Sequence, residues 1–231
     1  MGVWSQMVGD QFLAWLQAPG GLRWLDVGCG NGAFTERLFD EASAGAVAGI
    51  DPSEAQLAFA RTRLGARGAE FRQADAMALP FDSASFDAAV MALVIFFVPE
   101  PARGVAEMAR VVRPGGLVAA YAWDMEAGGF PYFVLQDELR AIGKDVPQPP
   151  SAAASRIDTL RALWEGAGLA DEGTRDDASD AEPFAHEAVG DLAGQRRPAP
   201  CTQGTVGGAD TDRGGVDGVG GRGDRQPVDG Q

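Results

Sequence analysis

The stretch LDVGCGNG, residues 25–32, constrains the fold most, because it places Gly28, Gly30 and Gly32 at alternate positions after a short apolar run. Glycine is favoured where the backbone needs a positive φ or where another group comes very close. The residues that follow, GAFTERLFDEA, have the apolar spacing of a helix. The pattern therefore predicts a strand, a tight turn and a helix. Two explanations stay open: a turn that binds nothing, and a loop that lies against a ligand.

The chain up to about residue 170 alternates between strand-like and helix-like segments. Apolar runs predict the strands LRWLDV, AVAGID, AEFRQAD, FDAAVMAL and LVAAYAW. Helix-like segments separate them, among them SEAQLAFARTRLG and PEPARGVAEMARVV. Continuous apolar runs are typical of parallel strands that are covered on both faces. We therefore predict an α/β protein with a doubly wound, mostly parallel sheet, whose ligand lies at the carboxyl ends of the strands.

The composition restricts the partners. The formal net charge is −14, which argues against nucleic acid or an anionic membrane as a partner, since both require basic patches. Two cysteines and one histidine cannot form a Cys/His zinc site, and we predict no metal. The sequence shows neither a basic leader with an apolar segment nor a run of about 18 apolar residues. We therefore expect a cytoplasmic protein.

Two carboxylates make the interpretation of the glycine stretch more specific. Asp51 ends the next predicted strand, about 20 residues on, where a carboxylate can bind both ribose hydroxyls of an adenosine. Asp26 lies in an otherwise apolar strand, where a carboxylate is costly unless it has a partner such as an ammonium group. The third glycine comes one residue too early for the G-x-G-x-x-G of NAD enzymes. A ligand with an amino-acid end and an adenosine end, S-adenosylmethionine, fits these residues together.

Four consecutive segments resemble the class I S-adenosylmethionine-dependent methyltransferases, in their type 11 small-molecule branch. The segments are WLDVGCGNGAFT, GIDPSEAQLAFAR, RQADAMALPFDSASFDAAV and VPEPARGVAEMARVVRPGGLVAAYAWD, and the resemblance covers residues 3–170. It implies a Rossmann-like methyltransferase fold, S-adenosylmethionine as the cofactor and methyl transfer to a small-molecule acceptor. It implies no catalytic residue. The cofactor-binding positions are Asp26, Gly28, Cys29, Gly30, Asp51, Gln56, Asp75, Ala76 and Met91.

The resemblance also implies where these positions lie along the cofactor. The backbone of Gly28 and Gly30 passes under the methionine part, and Asp51 binds the ribose. The remaining roles are Gln56 against the adenine, Asp75 near the adenine amino group, Ala76 as a backbone donor to the ring, and Met91 at the sulfonium side.

Several of these residues have a local explanation that needs no ligand. Asp75 can cap the turn before ALP, and Gln56 can complete a capping box at the start of its helix. We expect Cys29 to be a small packed residue and not a nucleophile, because no His or Lys is near it in sequence to lower its pKa. Phe96 and Phe97 stand where relatives often carry His, so a general base is absent there. Methyl transfer mainly needs alignment and exclusion of water, so activity remains compatible with this absence.

The chain divides into two predicted regions. Residues 1–170 form the cofactor-binding methyltransferase domain, with residues 124–154 as a lid or acceptor insert. Residues 171–231 are rich in Gly and Asp, which predicts a disordered tail. We expect the sheet to lack its last two strands, and a shifted reading frame is our hypothesis for this terminus. Two alternatives stay open: a cofactor-binding but inactive methyltransferase, and, with less support, an NAD(P)-dependent oxidoreductase.

Overall fold

The computed structural model describes residues 2–126, 129–176 and 200–206, and for 171–176 and 200–206 it describes the backbone. The helices in these ranges are α1 Val3–Leu16, α2 Ala33–Asp40, α3 Glu54–Leu64, α4 Pro101–Val111, α5 Phe133–Ala141 and α6 Ile157–Gly166. The strands are β1 Arg23–Val27, β2 Ala46–Asp51, β3 Glu70–Gln73, β4 Phe86–Ala92, β5 Val112–Tyr121, β6 Leu169–Asp176 and β7 Pro200–Val206. Each of these described helices is too short or too polar to cross a lipid bilayer.

The described strands form one sheet in the order β3-β2-β1-β4-β5-β7-β6. Strands β1 to β5 pair parallel with one another, and the prediction of a doubly wound, mostly parallel α/β sheet is confirmed. The chain moves outward from β1 through β2 to β3 and then crosses to β4 on the other side of β1. At such a reversal the carboxyl ends of neighbouring strands leave a crevice in which a ligand can bind.

Helices cover both faces of the sheet, which explains why the strands are apolar runs. Successive β1 residues alternate between two core clusters, Trp24 with Phe34 of α2 on one face and Leu25 with Trp164 of α6 on the other. No position of a strand covered in this way has to be polar. Asp26 is therefore the exception among the buried residues of β1, and its side chain is fully buried.

Trp164 ties α6 to the sheet through a buried hydrogen bond. Its indole Nε1–H donates to the Val118 carbonyl oxygen at 3.1 Å, and the side chain is fully buried. We expect Trp164→Phe to lower the free energy of unfolding by about 1–3 kcal/mol, because a buried carbonyl loses its donor. Denaturant unfolding measures this change, with Trp15→Phe on the partly exposed α1 as the control. Equal losses in the two variants would contradict the role given to this hydrogen bond.

The prediction that the sheet lacks its last two strands is wrong. β7 pairs antiparallel with β5, and β6 pairs antiparallel with β7. Backbone N–H and C=O groups make this pairing, so the segment 171–176 can join the sheet although its side chains are poor strand formers. The segment PCTQGTV of β7 also contains Thr and Val, which favour strands. The rest of the predicted disordered tail, residues 177–199 and 207–231, lies outside the described residues, and the shifted reading frame stays a hypothesis.

The insert 124–154 contains α5, and α5 has no buried residue. Hydrogen bonds near both ends of the insert join it to the rest of the domain. The Ser151 N–H donates to the Phe96 carbonyl oxygen at 3.1 Å, and the Met125 N–H donates to Ser155 Oγ at 3.0 Å. Arg156, and not Ser155, occupies the capping position of α6. The role of the insert as a lid stays a prediction.

Candidate functional site

A cavity of about 670 Å³ lies at the carboxyl ends of β1, β2 and β4, within the usual range of about 300–1,000 Å³ for small-ligand sites. Its walls come from the glycine loop (residues 28–32), the end of β2, the loop after β3 and the chain after β4. The lining residues are Ser5, Gly28, Cys29, Gly30, Asn31, Ala33, Ile50, Asp51, Pro52, Gln56, Asp75, Ala76, Ala92, Leu93, Val94, Phe97, Val98 and Pro99. Seven of the nine predicted positions are therefore together at this cavity, and Asp26 and Met91 are not among them.

The three glycines of the loop all have positive φ, but different neighbours exclude their side chains. A Cβ at Gly28 would lie 2.6 Å from both Cγ atoms of Val94. A Cβ at Gly32 would lie 3.2 Å from the Cβ of Ala60 in α3. At Gly30 nothing lies within 4 Å of that position, which opens on the cavity. The protein's own packing thus requires two of the glycines, and Gly30 is the one with space for a ligand.

Asp51 fixes the glycine loop to the end of β2. Its Oδ2 accepts a hydrogen bond from the Gly30 N–H at 2.9 Å, and its Oδ1 accepts one from the Ser53 N–H at 2.8 Å. The Gly28 and Cys29 N–H groups both donate to the Ile50 carbonyl oxygen, at 2.8 and 2.9 Å. Each carboxylate oxygen has a second lone pair. Asp51 can therefore hold the loop and still accept the two hydroxyls of a ribose.

Asp26 is buried without full hydrogen bonding. Thr35 Oγ1 donates to Asp26 Oδ2 at 2.7 Å, whereas Oδ1 has no partner among the described residues. Burial raises the pKa of Asp26 from 3.8 to about 7; the Thr35 hydrogen bond lowers it and the charge of Asp51 raises it. An ammonium group donates hydrogen bonds, and a buried carboxylate with an orphaned oxygen, two residues before the loop, is an acceptor suited to it. The residues present thus fit the amino-acid end of S-adenosylmethionine.

The adenine-side positions line the cavity and also have the local roles that the sequence allows. The Gln56 N–H donates to Ser53 Oγ at 3.4 Å, as in a capping box. Asp75 Oδ1 accepts from the Met77 N–H at 2.8 Å, which caps the turn after β3. Ala76 lies beside them in the lining. A local role and a cofactor contact are compatible here, and the cofactor contacts stay predictions.

Met91 is placed away from the cavity. Its side chain is fully buried, and its Cε lies 3.3 Å from where a Cβ on Gly104 of α4 would be. Successive strand residues point to opposite faces, so a residue of β4 that packs on α4 does not face the glycine loop. Leu93, with a φ of +61°, and Val94 line the cavity after the strand ends. The sequence carries no signal for this turn.

Cys29 lines the cavity but is only 6% exposed. Burial, with the charges of Asp26 and Asp51, raises the pKa of its thiol above the ordinary value. The thiol therefore stays protonated near neutral pH, and a protonated thiol is a poor nucleophile.

Comparison with known proteins identifies the family. The family model for a methyltransferase domain of type 11 matches residues 25–120. The 27-O-demethylrifamycin SV methyltransferase of Amycolatopsis mediterranei is 30% identical over 194 residues, which cover 82% of this chain and 69% of that protein. The chain belongs to the class I methyltransferases of the type 11 family. The family predicted from the sequence is confirmed, and the protein is an S-adenosylmethionine-dependent methyltransferase.

Other relatives match a smaller part of this methyltransferase or its fold. A demethylmenaquinone methyltransferase of Desulfitobacterium hafniense is 36% identical over 110 residues, which cover 46% of this chain and 44% of that protein. The chain thus spans less than half the length of that relative. A solved S-adenosylmethionine-dependent methyltransferase structure from Mesorhizobium loti is 23% identical, with a TM-score of 0.64 over 87% of this chain and 97% of that one. This likeness concerns the fold.

Proposed function

We propose that this methyltransferase binds S-adenosylmethionine in the cavity between the glycine loop and Asp51 and methylates a small molecule. The observation that carries the proposal is the Asp51 carboxylate, which lines the cavity while both of its oxygens hold backbone N–H groups. A group fixed in this way is oriented before any ligand arrives. Pre-organised polar groups of this kind reduce the ordering cost of binding.

Different residues at and beside the cavity would bind different parts of S-adenosylmethionine. Asp51 would hold the ribose, the backbone at Gly30 would face the methionine part, and Asp26 would balance the ammonium charge. When bound, S-adenosylmethionine supplies an electrophilic methyl group on a sulfonium centre and leaves as S-adenosylhomocysteine. The protein has to orient the acceptor and exclude water, and such positioning supplies much of the acceleration in reactions of this type.

The names of two relatives support a small-molecule acceptor. One relative is named for 27-O-demethylrifamycin SV and another for demethylmenaquinone, and both are small molecules. The cavity also supports a small-molecule acceptor, because its volume suits ligands of that size.

Thermal unfolding with and without S-adenosylhomocysteine tests the cofactor assignment. At about 100 times the dissociation constant the ligand adds about 2.7 kcal/mol, which raises the melting temperature of a protein of this size by about 5–10 °C. We expect Asp51→Asn to weaken binding at least about 10-fold, because it loses a charged acceptor, and so to remove about half of that increase. Asp82→Asn, an exposed aspartate outside the cavity lining, is the matched control.

Three outcomes would count against the proposal. A cooperative unfolding transition whose melting temperature does not change with S-adenosylhomocysteine would refute the cofactor assignment. A larger increase with NAD than with S-adenosylhomocysteine would favour the oxidoreductase alternative. A normal ligand response without transfer of labelled methyl to any acceptor would favour an inactive, cofactor-binding protein.

A further inference from the structure

Phe97 combines exposure with a place at the cavity. Its side chain is 61% exposed. Among the large apolar side chains that are exposed in the described part of the chain, Phe97 alone lines the cavity. An exposed aromatic ring beside a ligand site is typical of a surface that a second ligand covers.

Hydrogen bonds to Phe97 and to the residues on either side of it hold this segment in place. The Phe97 N–H donates to the Val94 carbonyl oxygen at 2.8 Å. The buried ring of Phe96 lies 4.7 Å from the Phe97 ring, centroid to centroid. Ser151, from the insert, donates its N–H to the Phe96 carbonyl oxygen at 3.1 Å and its Oγ–H to the Val98 carbonyl oxygen at 2.8 Å. The ring is therefore presented by an ordered segment and not by a free loop.

The surroundings of Phe97 select against charged acceptors. We call the lining residues at the end of β4 and after it the apolar wall, namely Ala92, Leu93, Val94, Phe97, Val98 and Pro99. A charged molecule would lose hydration against this wall without gaining a partner. Anions are disfavoured further, because Asp51 and Asp75 line the same cavity and the net charge is −14.

The apolar wall also contains no side chain that can accept a proton. An acceptor that lies on it receives no base from this wall and can lose its proton to water. A phenol does this far more readily than an aliphatic alcohol, since a phenolic pKa is about 10, and its flat ring can stack on an aromatic side chain.

We propose that the methyl acceptor is an uncharged phenol whose ring packs on Phe97. This inference rests on the proposed function. In the reaction the phenol oxygen forms the new bond to the methyl carbon while the carbon–sulfur bond breaks. The electron pair of the broken bond stays on sulfur, and the phenolic proton leaves to water. Phe97 and the apolar wall fix the position of the ring, and the phenol oxygen stays accessible to water.

The test uses the full chain with 2-naphthol as the probe. Binding to the S-adenosylhomocysteine-loaded protein is followed by naphthol fluorescence, and turnover by transfer of labelled methyl from S-adenosylmethionine. We expect Phe97→Ala to weaken 2-naphthol binding and to raise its KM by about 5- to 10-fold, the loss of one aromatic contact. Phe59→Ala, which removes a ring that is 70% exposed on α3 outside the cavity lining, should change either value less than about 2-fold.

Two comparisons distinguish the chemical class of the acceptor. Cyclohexanol, uncharged but not aromatic, and 2-naphthoate, aromatic but anionic, should be methylated at least about 10-fold more slowly than 2-naphthol. The rate with 2-naphthol should also rise with pH toward the acceptor's own pKa.

Each contrary result has a distinct meaning. If S-adenosylhomocysteine leaves the melting temperature unchanged, the proposed function itself fails. If the ligand binds but 2-naphthol neither binds nor reacts, or Phe97→Ala and Phe59→Ala behave alike, the phenol proposal is overturned. Faster turnover of 2-naphthoate or cyclohexanol overturns it as well.

Discussion

We expect Gly28→Ala to destabilise the protein much more than Gly21→Ala, although the two glycines have nearly the same φ, +79° and +81°. Both variants carry the cost of an alanine at positive φ, about 1–2 kcal/mol. Only Gly28→Ala adds a collision, since its Cβ would lie 2.6 Å from both Cγ atoms of Val94, whereas nothing lies within 4 Å at Gly21. Overpacking of this kind costs about a further 1–3 kcal/mol. Denaturant unfolding of the two variants measures the difference directly.

Gly30→Ala separates stability from ligand binding. Its φ is +52° and nothing lies within 4 Å of the added Cβ, so its stability should resemble that of Gly21→Ala. The new methyl group would, however, project into the cavity that Gly30 lines. We expect a folded variant whose melting temperature no longer rises with S-adenosylhomocysteine. A variant that binds this ligand normally would show that the methionine part does not pass over Gly30.

Val94→Ala provides the internal control for Gly28. Removing the two Cγ atoms should restore most of the stability that Gly28→Ala loses by collision, while the cost of the positive φ remains. A double-mutant cycle of Gly28→Ala and Val94→Ala would then show a favourable interaction energy. Strict additivity would mean that Val94 is not what excludes a side chain at Gly28.

The second large effect is a pH dependence that comes from Asp26. Its pKa is about 7 in the folded protein and 3.8 without the fold's influence, so the folded state holds this proton more tightly. The resulting stability is fully present below about pH 4 and is lost as the pH rises to about 7. Three pKa units correspond to about 4 kcal/mol at most. Chemical unfolding between pH 4 and pH 8 measures this loss.

Asp26→Asn is the variant that isolates this effect, because an amide does not titrate. We expect the free energy of unfolding of the unmodified chain to fall relative to that of Asp26→Asn as the pH rises from 4 to 7. Thr35→Val removes the hydrogen bond that lowers the pKa of Asp26, so it should extend the loss to higher pH. Asp82→Asn serves as the surface control. An identical pH dependence in Asp26→Asn and the unmodified chain would contradict the burial of an ionisable Asp26.

The sequence predicts the parts of this structure that depend on local order along the chain. The five parallel strands follow from apolar runs, and the glycine loop and Asp51 follow from a turn and a carboxylate after successive strands. Parallel strands present their carboxyl ends at one edge, so these residues had to lie close together. The contact between Gly28 and Val94 could not be predicted, because it joins segments that only the folded sheet brings together.

Two features of the backbone have no signal in the sequence. The chain turns at Leu93, whose positive φ no residue type indicates, and Leu93 and Val94 line the cavity, whereas the place of Met91 at the sulfonium side stays a prediction. The last two strands were expected to be missing because residues 171–176 are poor strand formers. Pairing with β7 depends on backbone hydrogen bonds, and a scale of side-chain preferences does not register these.

The close approach of Val94 to Gly28 would link the binding of the proposed acceptor to that of the proposed cofactor. Val94 belongs to the apolar wall, and Gly28 belongs to the loop beneath the proposed cofactor position. A ligand that moves Val94 would therefore also move the backbone at Gly28, and the reverse holds. By thermodynamic reciprocity, the factor by which the cofactor changes the affinity for the acceptor equals the factor by which the acceptor changes the affinity for the cofactor. A single van der Waals contact can therefore couple the two affinities.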